Sequence, residues 1–292
     1  MAEGVINLLK PPAMSSHDAV NFARKVLGQR RVGHTGTLDP FAAGVLPLCV
    51  GRATRLVEYL MDLDKCYLAR VRLGVATDSH DITGHIESVK DTTQVSLERV
   101  ESALDMLAKQ TEQVPPRFSA LRVDGERGYQ RARKGEEFTL EARPVRIYSV
   151  RLIEFSLTPH PILHMEVTCG KGTYIRSMAR DLGDFLGTGA VLTHLLRTYC
   201  GHFRLEAAHT LEEVAARKDK TVVKPAQALT HLPSVPVSWD QKEQVARGGK
   251  CPSLELDINA TGPLCLVDPA GDLVAVAGYS RHDGLRLKKV FA

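Results

Sequence analysis

The sequence predicts an α+β protein with one large domain followed by a small β domain. Three observations carry this. At 292 residues the chain is long for a single core. Alternating apolar runs and helical apolar stripes intermingle through its first three quarters. A proline-punctuated stretch from 225 to 236 then precedes short alternating runs that read as β structure alone.

The elements follow in order. Val5 to Leu9 is a short apolar strand broken by Lys10-Pro11-Pro12. Ser15-Ser16-His17-Asp18 has the form of a capping box, and Ala19, Val20, Phe22, Ala23, Val26 and Leu27 continue at helical spacing to a stop at Gly28. Val45 to Val50 reads as a buried strand, and Ala53 to Met61 as a helix with Leu56, Val57 and Leu60 on its apolar face. From Tyr67 to Gly74, Tyr67, Ala69, Val71 and Leu73 alternate with Leu68, Arg70 and Arg72, a strand with one wet face. Leu97, Val100, Ala103, Leu104, Leu107 and Ala108 form the stripe of an amphipathic helix after Ser96. Strands follow at about 145–155 and 162–169. A helix then runs from Thr173, a plausible cap, through Ile175, Met178, Ala179, Leu182, Phe185 and Leu186 to Gly187. The polar loop 77–84 has the acidic spacing of a weak calcium loop but lacks the glycine and closing glutamate, so that reading is rejected.

Composition narrows the function. Hydrophobic content of 43% and charged content of 25% describe ordinary globular material. The longest apolar runs fall short of the roughly 20 residues a spanning helix needs, and the N-terminus lacks the pattern of a secretion signal; a cytoplasmic protein with no membrane role is expected. The six cysteines stand far apart with no C-x-x-C pair, so each is expected as a buried free thiol, with no zinc site and no disulfide framework. The net charge of +4 is mild, so any nucleic-acid reading rests on local clustering. Between Pro115 and Gly135, Arg117, Arg122, Arg127, Arg131, Arg133 and Lys134 stand against Asp124 and Glu126, with Phe118 and Tyr129 among them. That composition suits a solvated surface segment, and equally a surface that tracks phosphates and stacks on bases.

Two features carry chemistry. Gly33-His34-Thr35-Gly36-Thr37-Leu38-Asp39-Pro40, closed by Gly44, presents a short carboxylate in a glycine-rich loop. Spacing alone favours a plain turn. Arg176 falls in the first turn of its helix, where the macrodipole disfavours a cation; it wants an anion, and Asp181, Glu166 and Asp39 are the candidates.

Taken together, Lys10-Pro11, Ser15-Ser16, the Gly33 to Pro40 loop, Tyr67, Gly172-Thr173-Tyr174-Ile175-Arg176 and Leu195-Leu196-Arg197 resemble, in order and spacing, the TruB-type pseudouridine synthases. The resemblance is close over about 4–215 and looser beyond. It implies the pseudouridine synthase fold, a central mixed, mainly antiparallel sheet flanked by helices and loops. It implies a catalytic domain at 1–225 with a thumb-like basic insertion at about 115–135, a linker at 226–236, and a PUA-like RNA-binding domain at 237–292. The implied activity is isomerisation of uridine to pseudouridine in the T-loop of tRNA, at position 55 of that RNA, by base flipping and without metal or other cofactor.

The resemblance also implies roles. Asp39 is the catalytic carboxylate, as nucleophile or electrostatic partner, with attack on the base or on ribose C1′ left open. Arg176 pairs with it. Tyr67, otherwise an ordinary core aromatic, stacks on the target base and handles the C5 proton. His34 takes the place of the extruded uridine. Tyr174 and Leu195 line the pocket, Lys10 lies near the site, and Arg122, Arg127, Arg131 and Arg133 grip the RNA loop. The implied partner is tRNA, with a monomeric enzyme and no obligatory protein partner. The alternatives are an RNA-binding folding factor in which catalysis is secondary, and a guide-dependent relative acting on rRNA.

Overall fold

The computed structural model describes residues 2–123, 125–158, 160–248, 262–280 and 284–292, without the side chains of 122, 123 and 127. Cys251 and Arg281 lie outside the described residues.

The chain opens with β1 (Gly4–Lys10) and α1 (Ser16–Leu27). Ser15 caps α1 by accepting from the Asp18 amide while the Asp18 carboxylate accepts from the Ser15 amide, and Gly28 ends it in the left-handed conformation at φ 62°. β2 (Val32–His34) and β3 (Ala43–Val50) flank the glycine-rich loop. The helix expected over 53–61 is divided: 51–56 wind as a 3₁₀ turn, and only α2 (Val57–Met61) is α-helical. Leu56 and Leu60 are buried as expected. β4 (Lys65–Leu73) buries Tyr67, Ala69, Val71 and Leu73 and turns Leu68 outward.

A small hairpin, β5 (Val75–Thr77) with β6 (Ile86–Val89), precedes α3 (Leu97–Ala108). Ser96 caps α3, and Val100, Ala103, Leu104 and Leu107 are buried while Leu97 is exposed. β7 (Glu112–Gln113) precedes the basic segment, which holds β8 (Arg122–Val123), β9 (Glu126–Arg127) and α4 (Gly128–Arg133), and β10 (Arg143–Pro144) returns to pair with β7. Then come β11 (Ile147–Ser156), β12 (Ile162–Cys169), α5 (Ile175–Leu186), β13 (Ala190–Cys200) and β14 (Phe203–Arg204). The α5 stripe is buried except at Phe185, which faces solvent at the edge of the packed face.

The central sheet runs β11-β12-β4-β13-β3-β1, with β2 and β14 on its flanks. All of these pairings are antiparallel except β13 with β3, which are parallel and joined only at Leu196–Ala43 and Arg197–Gly44. This junction sits where the sheet halves meet and needs a glycine: Gly44 has φ 116°, and a Cβ there would lie 2.3 Å from the Arg197 carbonyl oxygen. Helices α3 and α5 cover one face, and their stripes merge with Leu46, Leu48, Tyr67, Ala69, Met165 and Leu192 in one core.

After β14, α6 (Leu211–Arg217) is followed by β15 (Val222–Val223), which adds to the edge of β1. The stretch read as a linker at 226–236 is packed. It holds most of α7 (Pro225–Ala228), buries Ala228 and Leu229, and ends in β16 (Ser234–Pro236), which joins the C-terminal sheet. Prolines here start a helix and occupy an edge strand, both positions where their missing N–H costs nothing. The C-terminal part also holds a helix that alternation did not reveal, α8 (Trp239–Ala246), beside β17 (Gly262–Val267), β18 (Leu273–Ser280) and β19 (Gly284–Val290). Cys265, Leu273, Val276 and Phe291 pack with Val5, Cys49, Leu56 and Leu60 of the large domain. Cys49, Cys66, Cys169, Cys200 and Cys265 are buried free thiols. Among the described residues no helix is long and apolar enough to cross a membrane.

Candidate active site

The glycine-rich loop is held from both ends. Ser16, buried at the start of α1, accepts from the Leu38 amide at 2.8 Å and donates to the Leu38 carbonyl at 3.0 Å, so the residue before Asp39 is clamped by one hydroxyl. Lys10, fully buried, donates from Nζ to the carbonyls of Pro11 (2.8 Å), Met14 (2.6 Å) and Pro40 (3.4 Å). Burial lowers the Lys10 pKa to about 8, with nearby Asp39 opposing the fall. Its place is therefore beneath the loop.

Arg176 meets Asp39. Nε donates to Oδ2 at 2.9 Å and Nη2 to Oδ1 at 2.8 Å, the parallel fork of a bidentate pair. The guanidinium is only 4% exposed, whereas the carboxylate side chain is 29% exposed: the cation is fixed in the protein and the anion faces out of it. Burial raises the Asp39 pKa above the ordinary carboxylate value and the Arg176 guanidinium opposes that rise. Of the other candidates, Asp181 pairs with Arg180 and Glu166 with Arg151.

The remaining Arg176 donors go to the Ser79 carbonyl (3.2 Å) and the Phe118 carbonyl (2.9 Å), and Asp81 Oδ2 stands 3.6 Å from Nη1. Asp81 is 4% exposed and accepts from Ser79 Oγ (2.9 Å) and the Thr83 amide (2.9 Å). Sequence reasoning missed it. The loop 77–84 was read for calcium-ligand spacing, whereas one of its acids is turned inward to a cation far along the chain. Thr173 is not the cap of α5; its hydroxyl donates to the Gly170 carbonyl, and Tyr174 takes the cap position without a capping side chain. Buried Gln113 instead accepts from the Tyr174 amide at 2.8 Å, a contact no local pattern could reveal.

Tyr67 and Arg197 occupy directly opposed positions on β4 and β13. Arg197 is 1% exposed, donates from Nε to the Val45 carbonyl (2.6 Å) and from Nη2 to the Gly36 carbonyl (3.2 Å), and its charge draws the Tyr67 phenol toward ionisation against the effect of burial. Tyr67, Leu38, Ile175 and Leu195 belong to the same core cluster, and Tyr67 is tied to the loop of Asp39 through Arg197, which stands opposite it and reaches the Gly36 carbonyl. Burial raises the Tyr174 phenol above its usual range, with Arg176 opposing the shift and Asp39 adding to it. Leu195, with Phe41, Leu68, Met165 and His194, lines a cavity of about 430 Å³ to which Asp39, Tyr67, Tyr174 and Arg176 do not contribute. His34 ends β2, half-buried, with Nδ1 accepting from the Gly36 amide at 3.3 Å; burial lowers its pKa, so the ring is neutral. Among the described residues no cluster of three or more potential metal ligands occurs.

The basic segment is less open than its charge count suggested. Arg131 pairs with Glu136 at 2.7 Å and lies 4.9 Å over the Phe138 ring, while Lys134 bridges Glu126 at 2.8 Å. The six-to-two count stopped one residue short of Glu136. Arg133 is exposed over the Tyr129 ring, and the side chains of Arg122 and Arg127 lie outside the described residues.

A buried arginine forking a partly exposed carboxylate, with a neutral histidine on the same loop beside a mainly antiparallel sheet, is a centre fit for nucleophilic or electrostatic catalysis by a carboxylate. Residues 24–175 match the model of the TruB family pseudouridylate synthase N-terminal domain, and 176–231 that of the tRNA pseudouridylate synthase B C-terminal domain. The chain is 48% identical over 246 residues to tRNA pseudouridine synthase B of Symbiobacterium thermophilum, covering 84% of this chain and 82% of that protein. It is 42% identical over 249 residues to tRNA pseudouridine synthase B of Synechocystis sp., covering 84% of each. A chain in the crystal structure of a Cbf5-Nop10-Gar1 complex superposes with a TM-score of 0.77 at 25% identity, over all of this chain and 85% of that one. The chain therefore belongs to the TruB family of pseudouridylate synthases, which are isomerases.

Proposed function

We propose that the protein isomerises a uridine in the T-loop of tRNA to pseudouridine, acting in the cytoplasm as a monomer and without a cofactor. The observation that carries this reading is the bidentate Arg176–Asp39 pair, in which a buried cation fixes the orientation of a partly exposed carboxylate. A protein that only binds RNA has no need of it.

The target uridine is extruded from its loop at a cost of a few kcal/mol, and His34, flat and neutral, stacks in the place it leaves. Asp39 acts at the reacting base or sugar as nucleophile or electrostatic partner while Arg176 keeps it ionised. The N1–C1′ bond breaks, the base rotates, and C5 joins C1′; the C5 hydrogen leaves as a proton and N1 gains one, so the atom count is unchanged. Tyr67 stacks on the base and takes the C5 proton. Tyr174 and Leu195 line the pocket. The basic arm at 115–135 and the C-terminal sheet, read as a PUA-like domain, grip the RNA through phosphate contacts.

The test is Asp39→Ala on an unmodified tRNA transcript. Product formation is expected to vanish while RNA affinity stays within a few fold. Product at the wild-type rate would overturn the assignment.

A further inference from the structure

Arg197 is a buried cation that the reading above leaves unused. Its guanidinium is 1% exposed, and among the described residues it forms no ion pair. The titratable groups around it are Lys10, His34, Lys65 and Tyr67. The first and third are cations and His34 is neutral, so none compensates a charge whose burial costs several kcal/mol. Of these four groups, the one that can become an anion is the Tyr67 phenol, which stands directly opposite Arg197 on the β4–β13 ladder. From the same guanidinium, Nη2 reaches the Gly36 carbonyl in the loop that carries Asp39.

We propose that Arg197 is the positioning residue of the proton transfer at C5: it holds Tyr67 in register with the Asp39 loop and stabilises the phenolate that takes the C5 proton. This rests on the proposed role of Tyr67. Once C1′ is bonded to C5, that carbon carries both sugar and hydrogen, the C6–N1 bond is double and N1 is bare. The Tyr67 phenol gives its proton to N1, and the phenolate takes the proton from C5. The C5–H electrons form the C5–C6 double bond, and the C6–N1 electron pair settles on N1. The phenol is regenerated and nothing is left over. Without a fixed cation the phenolate would be inaccessible, because burial pushes the Tyr67 phenol up to about 12; Arg197 pulls the other way, and the buried thiols Cys169 and Cys200 are the remaining titratable neighbours.

The experiment measures single-turnover product formation on tRNA carrying uridine or 5-deuterouridine, across pH. Arg197→Gln keeps donors for the Gly36 and Val45 carbonyls but removes the charge. It is expected to slow the reaction about 100-fold near neutral pH, to recover as pH rises, and to show a larger deuterium effect than wild type. Arg197→Lys restores most of the rate. A slowed Arg197→Gln reaction with an unchanged deuterium effect at every pH would reduce Arg197 to a structural residue and overturn the proposal. Tyr67→Phe tests the underlying reading separately: wild-type loss of the C5 hydrogen from that variant would remove Tyr67 as the base, whatever Arg197 does. Should Arg197→Gln fail to fold, fluorinated tyrosines of graded acidity at position 67 in the otherwise native enzyme replace it. The rate of C5 proton loss must then change with phenol acidity, and a flat series overturns the proposal.

Discussion

Arg176 and Asp39, 137 positions apart in the chain, share two hydrogen bonds of 2.9 and 2.8 Å with the guanidinium buried and the carboxylate partly exposed. Such a fork fixes the plane of the carboxylate as well as its charge, which a point charge cannot do. Arg176→Lys is therefore expected to lower the single-turnover rate about 100-fold while RNA affinity changes little. Asp81→Asn, which removes only the second anion at 3.6 Å, is expected to act more mildly and in the same direction. Single-turnover kinetics alongside a binding titration check both. If Arg176→Lys turns over at the wild-type rate, the planar orientation is unimportant.

Much of this pair was legible beforehand, because an arginine in the first turn of a helix opposes the dipole and must be answered by an anion. Its supports were not. Ser16, Gln113 and Asp81 each act through a contact to a remote segment, and a hydroxyl, an amide or an acid in a loop carries no mark of the backbone it will meet. The strands and helices were legible where burial follows a period, as in β4 and α5. They were misread where backbone geometry decides: the 3₁₀ turn before α2, the cap of α5, and the prolines at 225–236, which look like punctuation in sequence and are packed structure in the fold. Charge was misjudged for a similar reason, since Glu136 folds back on Arg131 across α4.

That fold-back separates the arginines of the arm into two kinds. Arg133, exposed over Tyr129, is expected to contact phosphate: Arg133→Ser lowers tRNA affinity and reduces the slope of log K against log salt by about 1. Arg131, held by Glu136 and the Phe138 ring, is expected to support the arm. Arg131→Ala speeds amide exchange over 128–136 and weakens binding without a matching change in salt slope. Affinity measured from low to high salt, together with hydrogen exchange, distinguishes them. Equal slope changes in the two variants would show that both arginines meet the RNA.

Lys10 connects the loop to pH. Its pKa is about 8 in the fold, lowered by burial, against about 10.4 in an unfolded chain. Between those values the unfolded chain binds more protons than the folded one, so the Lys10 contribution to stability rises with pH through that window and is flat below it. The buried thiols Cys49 and Cys169, both pushed up to about 12, and Cys265, at about 11, act oppositely, since the unfolded chain loses their protons first and stability falls as pH rises. Their slopes overlap with that of Lys10, so the net curve for the wild-type protein does not isolate it. The difference between wild type and Lys10→Met does. Denaturant unfolding from pH 7 to 10.5 is expected to show wild type gaining on the variant by up to about 1.4 kcal/mol per pH unit above pH 8. Parallel curves would mean that Lys10 titrates alike in both states, and that the carbonyl cage beneath Pro40 holds its charge at no cost.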